Sequence, residues 1–154
     1  MKTIDEWLSL YGRDHQHPTN KLIHWICVPV IFFTVLGLFW CIPVPAFMGK
    51  VNFGIIVYIL SLLFYLRLSI PLFAGFLITG ALCLAFNSAL FIYFGRLNYS
   101  VILAVVFVVA WIGQFIGHKI EGQKPSFFED LQFLLIGPAW LLHFIYKKIG
   151  VDYK

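Results

Sequence analysis

Apolar positions along the chain fall into five blocks, preceded by a polar leader and separated by short polar stretches. The leader, Met1 to Lys21, carries one apolar cluster around Trp7, Leu8 and Leu10, which predicts a short interfacial helix. The first block, Leu22 to Ile42, is about 21 residues long, enough to cross a bilayer core at ~1.5 Å per residue. Pro43 and Pro45 end it. The second, Val51 to Leu66, is shorter and stops at Arg67. The third runs from Ile70 to Gly95, with Pro71 in a first-turn position where its missing N–H is no loss. The fourth runs from Tyr99 to Gly117. These four end near Trp, Tyr, Arg or Lys, the usual interfacial anchors. The fifth, Leu131 to Tyr146, is about 16 residues and is interrupted by Gly137-Pro138. Proline inside a helix removes a backbone hydrogen bond and kinks the axis. The pattern therefore predicts an all-α, polytopic membrane helix bundle of four spans. A short, broken fifth helix follows, re-entrant or interfacial, with a fifth span as the alternative. The expected organisation is a leader over 1–21, a single transmembrane domain over 22–146 and a short tail over 147–154.

Composition agrees. Of 154 residues, 61% are hydrophobic and 12% charged, against about 45–50% and about 25% in soluble domains. A soluble globular domain, a disordered chain and a nucleic-acid binder are all excluded. The net charge of +4 is dispersed, with the eleven Lys and Arg residues mostly between the apolar blocks. With five spans they divide almost evenly between the two sides. With four, Lys147, Lys148 and Lys154 join the N-terminal side, which then faces the cytoplasm, opposite Lys50 and Arg96. Cys27, Cys41 and Cys83 lie inside apolar blocks at no metal-binding spacing and read as packing residues. The leader is not followed by a small-residue cleavage site, so no cleavable signal peptide is expected.

Candidate chemistry lies in the polar residues that survive in so apolar a chain. His15, His17 and His24 lie just before and just inside the first block, and His118 lies at the end of the fourth. All four belong to the N-terminal side. In a helix starting near Pro18, Asn20, His24 and Cys27 share one face, and Gln114, His118 and Glu121 do the same in the fourth. Gly113 and Gly117 form a Gly-x-x-x-Gly pair that lets another helix approach closely. Ionisable groups in a membrane domain cost roughly 2.5–3.5 kcal/mol each and mark a proton path, a metal or a substrate site. Neutral imidazole is the commonest metal ligand, and imidazole with carboxylate suits non-haem Fe(II). Plainer readings stand beside this one. Interfacial histidines are often only solvated, Glu121 has Lys119 and Lys124 nearby, and Gln114 and Asn87 can serve as interhelical hydrogen bonds. Asn87 lies mid-span with no obvious partner.

Two stretches are distinctive. YGRDHQHPTNKLIHWICVPV combines Tyr11, His15, Pro18, Asn20, His24 and Pro29. WIGQFIGHKIEGQKPSFFEDL carries Gln114, Gly117, His118, Glu121 and Pro125. From Tyr11 to about Tyr146 the chain resembles the small membrane family typified by the yeast endoplasmic-reticulum 2-hydroxy fatty acid dioxygenase. The resemblance implies an Fe2+-dependent dioxygenase of fatty acid α-oxidation, which takes a 2-hydroxy fatty acid and dioxygen to a fatty acid one carbon shorter. It implies metal ligands at His15, His24 and His118, with His143 raised as a fourth. Glu121 and Asn20 are the candidate catalytic residues, and Asn20, Gln114 or Glu121 could orient the imidazoles by hydrogen bonding their other nitrogens. His17 stands where relatives often hold another residue. The expected partners are the 2-hydroxy fatty acid, dioxygen and the lipid bilayer, with no nucleic acid. The expected location is the bacterial inner membrane or the endoplasmic reticulum membrane, with the metal site on the cytoplasmic side. The rival readings are a haem-binding protein, with two axial histidines, and a non-enzymatic lipid-binding membrane protein.

The charge pattern yields one testable outcome. Single cysteines placed at positions 2 and 154 are expected to label from the same side of the membrane. Labelling from opposite sides would mean that the fifth block spans.

Overall fold

The computed structural model describes residues 2–49, 51–124 and 132–153, with every side chain among them except that of Met48. Lys50, Pro125 and Leu131 lie outside the described residues. Among the described residues six α-helices follow one another: α1 (Ile4–Arg13), α2 (Pro18–Cys41), α3 (Phe53–Leu68), α4 (Ile70–Phe94), α5 (Arg96–Glu121) and α6 (Phe133–Ile149). A single 3-10 turn (Ala46–Met48) precedes α3. No strand occurs among the described residues, so the fold is the expected all-α one.

Three helices, α2, α4 and α5, are long and apolar enough to cross a membrane, at 24, 25 and 26 residues. The helix of the second block, α3, is apolar but has only 16 residues, about 24 Å of axis. Both α2 and α5 extend beyond the apolar blocks that predicted them, to Pro18 and to Glu121. Asn20 and His118 are thereby helical and buried.

Local signals start and stop these elements. A capping box opens α1: the Thr3 hydroxyl accepts from the Glu6 N–H, and the Glu6 carboxylate accepts from the Thr3 N–H. Ile4, Trp7, Leu8 and Tyr11 then form one buried stripe at helical spacing. Gly95 turns the chain from α4 into α5 with φ of +74°, a left-handed conformation that costs a glycine nothing.

Small residues let α2 and α5 meet. A Cβ on Gly113 would stand 2.8 Å from Cys27 Sγ, and one on Gly117 would collide with the Asn20 carboxamide. The Gly-x-x-x-Gly pair thus faces α2, as its spacing predicts. Further along, Asn87 of α4 joins three helices. Its Oδ1 accepts from the Tyr99 hydroxyl of α5 at 2.7 Å, its Nδ2 donates to the Cys83 carbonyl at 2.8 Å, and a Cβ on Gly37 of α2 would run into it. The partner that the sequence did not reveal is Tyr99.

Helix α6 continues through Gly137-Pro138, so the chain does not reverse there as anticipated. Proline disturbs the carbonyls one turn before it, and the Tyr65 hydroxyl donates to one of that turn, Leu135 O, at 2.7 Å. Tyr65 is fully buried and stacked on Phe76. At the far end the Tyr146 hydroxyl donates to Pro71 O at 2.6 Å, and Ser69 Oγ donates to Tyr153 O. Both ends of α6 are tied to the α3–α4 corner, and α6 stays with α1 at one end of the bundle.

Tyr99→Phe leaves Asn87 Oδ1 without its donor between α4 and α5. Interhelical bonds of this kind contribute about 0.6 kcal/mol on average and up to about 1.7. Thermal or denaturant unfolding in detergent is expected to show a loss near the upper figure.

Candidate metal centre

Three histidines reach one point from three different segments. His15 stands in the turn after α1, His24 in the second turn of α2, and His118 in the last turn of α5. All three are buried, and their ligand atoms lie within 4.8 Å of one another. Ring centroids are 4.2 Å apart for His15 and His24, 4.8 Å for His15 and His118, and 5.0 Å for His24 and His118. The ring planes are mutually close to perpendicular, at 80°, 77° and 84°.

Hydrogen bonding decides which nitrogens face inward. His15 Nδ1 meets the Tyr11 carbonyl at 2.5 Å, and His24 Nδ1 meets the Asn20 carbonyl at 2.9 Å. A carbonyl only accepts, so each Nδ1 carries the proton. Both Nε2 atoms of the neutral rings are then bare lone pairs, and they face each other at 2.9 Å. Two lone pairs this close repel unless a cation joins them. A shared proton is disfavoured at His15, because burial pushes its pKa below the ordinary histidine value. A metal ion fits: ligand atoms on bonds of about 2.1 Å set at right angles stand about 3 Å apart. His118 Nδ1 is buried without a hydrogen-bond partner, a further nitrogen with no partner in the protein. Backbone carbonyls on the outer nitrogens are also the usual way to fix a ligand imidazole.

The expected helpers take different places from those anticipated. The Glu121 carboxylate accepts from the backbone N–H groups of Gln16 and His17, both at 2.8 Å, and from Asn20 Nδ2 at 3.1 Å. It caps the start of α2, where the helix dipole favours an anion, rather than pairing with Lys119 or Lys124. Its oxygens are turned to the segment that carries His15 and not to the imidazoles. Asn20 gives its amide to Glu121 and its carbonyl to His24. Both residues act as braces here, and main-chain carbonyls orient the rings of His15 and His24 in place of side chains. His17 is exposed and accepts from Thr19 N as the N-cap of α2.

His143 does not join the group. Its Nδ1 bonds the Trp140 carbonyl, and its ring lies against Phe144 at 4.1 Å and near Tyr153 at 5.6 Å. The cause is the continuity of α6: without a reversal at Pro138, Trp140 meets the site and His143 does not. The Trp140 ring packs 5.4 Å from His15 and 5.5 Å from Tyr11. Tyr11 stacks on His15 at 4.1 Å with planes 10° apart. Trp140 was not singled out in the sequence, and its one signal is the Gly137-Pro138 pair just before it.

A cavity of about 480 Å³ opens from this point between α2, α3, α5 and the start of α6, within the usual size of a ligand pocket. His24, His118, Tyr11 and Gln114 line one end, and Phe32, Leu36, Val57 and Phe107 line its apolar walls. Phe107 precedes His118 by eleven residues, about 16 Å along the helix. The pocket is long and mostly apolar, with Ser61 and Gln132 among its few polar lining residues besides those at the histidine end.

The family model described as 2-hydroxy-palmitic acid dioxygenase Mpo1-like matches residues 1–149. The chain is 30% identical over 145 residues to 2-hydroxy-palmitic acid dioxygenase MPO1 of Saccharomyces cerevisiae, covering 93% of this chain and 79% of that protein. No solved structure matches.

Glu121→Ala frees the segment that holds His15 while leaving every imidazole in place. Retention of a divalent metal against a chelator is expected to fall about tenfold, at the low end for supporting groups, as read by metal analysis.

Proposed function

Since the chain belongs to the Mpo1-like 2-hydroxy-palmitic acid dioxygenase family, we propose that it is an integral-membrane, non-haem Fe(II) enzyme that shortens 2-hydroxy fatty acids by one carbon. The observation that carries this reading is the convergence of three neutral imidazoles at the mouth of an otherwise apolar cavity. The reaction balances as R–CH(OH)–COOH + O2 → R–COOH + CO2 + H2O. The C1–C2 bond breaks, C2 becomes the new carboxyl carbon, and the four electrons given up by the substrate reduce dioxygen. Neither an external reductant nor a co-substrate acid is needed.

His15, His24 and His118 would hold the iron, which would supply the dioxygen chemistry. The protein supplies the rest. The carbonyls of Tyr11 and Asn20 hold the Nδ1 protons, which keeps the Nε2 lone pairs turned inward. Tyr11 and Trp140 cover His15 and exclude water from that side. The cavity walls take the acyl chain. A buried methylene gains about 0.8 kcal/mol relative to water, but the chain already lies in lipid, so the walls orient the substrate more than they attract it. The head group of a membrane-resident acid lies at the interface, where the histidines are. With four spans, the Lys and Arg pattern supports a cytoplasmic position for that side.

The three ring centroids lie only 4.2, 4.8 and 5.0 Å apart, too close for a porphyrin to pass between any two rings, which disfavours the haem reading. With 2-hydroxypalmitate, the purified iron-loaded protein is expected to consume one dioxygen per CO2 released and to form pentadecanoate without added reductant. A His24→Ala, His118→Ala double variant is expected to lose at least 100-fold of this rate together with its iron. Full turnover by that variant would overturn the reading.

A further inference from the structure

Gln114 sits one turn deeper in α5 than His118, on the same face, and lines the cavity beside His24 and His118. It is only 5% exposed, yet its Nε2 has no hydrogen-bond partner in the protein. Most buried polar groups are paired, and an exception calls for a reason. Interhelical bonding is not the reason here, because His15 and His24 donate their Nδ1 hydrogens to backbone carbonyls and α2 meets α5 through Gly113 and Gly117. The donor lies where the head group of a chain-like ligand must lie if its tail follows the apolar walls.

We propose that Gln114 reads the 2-hydroxyl of the substrate and so separates 2-hydroxy acids from plain fatty acids, an inference that rests on the function given above. A carboxamide both donates and accepts, so it can give a hydrogen to the substrate oxygen and take the hydroxyl hydrogen in return. A plain fatty acid has the same tail and the same carboxylate but leaves the carboxamide buried and unpaired. Sites built this way discriminate strongly, because rejecting the wrong ligand needs no clash. An apolar pocket alone separates such acids poorly, since their tails are identical. Gln114 is thus a specificity-determining residue rather than a metal ligand.

The test compares binding of 2-hydroxypalmitate and palmitate to the full-length, metal-loaded protein in lipid nanodiscs, in wild type, Gln114→Met and Gln114→Glu. Methionine keeps the length without the polar group, and glutamate keeps the shape without the donor. Wild type is expected to prefer the 2-hydroxy acid. Both variants are expected to lose at least tenfold of that preference with unchanged metal content, and either variant alone suffices if the other fails to fold. A wild-type preference that survives in the variants overturns the role of Gln114 and leaves the proposed function standing. Loss of metal from the variants overturns it in favour of a support role at the metal site. Absence of any preference in wild type overturns both the role and the 2-hydroxy acid reading.

Discussion

The close approach of α2 and α5 is the constraint on which the site depends. Gly113 and Gly117 carry no side chain, and Cys27 and Asn20 occupy the space that one would fill. Only at this separation can His24 on one helix and His118 on the other reach a common point. The same contact puts Glu121 over the start of α2, where two main-chain N–H groups and one amide converge on its carboxylate. A larger residue at either glycine would separate the imidazoles and the brace together.

Around that pair the aromatic residues of α1 and α6 form a cover. Tyr11 and Trp140 enclose His15, and Phe133 meets Trp7 edge-on at 5.2 Å. The cover is anchored away from the site, through Tyr65 to Leu135 and through Tyr146 to Pro71. Aromatic side chains with hydroxyl groups suit this role, since the ring packs in the apolar interior while the oxygen finds a carbonyl. Part of the chain's aromatic content, 19% of its residues, is this cover.

Much of this was legible in the chain itself. The all-α membrane architecture follows from apolar block length, and the facing of Asn20 and His24 towards Gln114, His118 and Glu121 follows from helical periodicity and the glycine pair. Three features were not legible for physical reasons. Tyr99 and Asn87 are twelve residues apart across the Gly95 corner, and no local pattern announces a bond made by a chain reversal. The effect of Pro138 depends on how neighbours hold the turn before it; Tyr65, seventy residues from Leu135, donates to the Leu135 carbonyl of that turn. His143 therefore follows a continuous helix and misses the site. Finally, spacing shows which residues share a face but not which atoms they offer, so main-chain carbonyls could not be chosen over Asn20 or Glu121 side chains as partners of the imidazoles.

His15 differs from the other two histidines in what carries it. His24 and His118 stand on long helices packed along their length, whereas His15 stands in the short turn that joins α1 to the bundle. An ion held by all three would therefore also fasten α1 to the α2–α5 pair. By linkage, whatever free energy the ion gains from the third imidazole is free energy by which α1 is held down, and loosening of α1 must raise the ion's dissociation constant by the same factor. Occupancy of the centre and attachment of the amino-terminal helix are in this sense a single equilibrium, seen from its two ends.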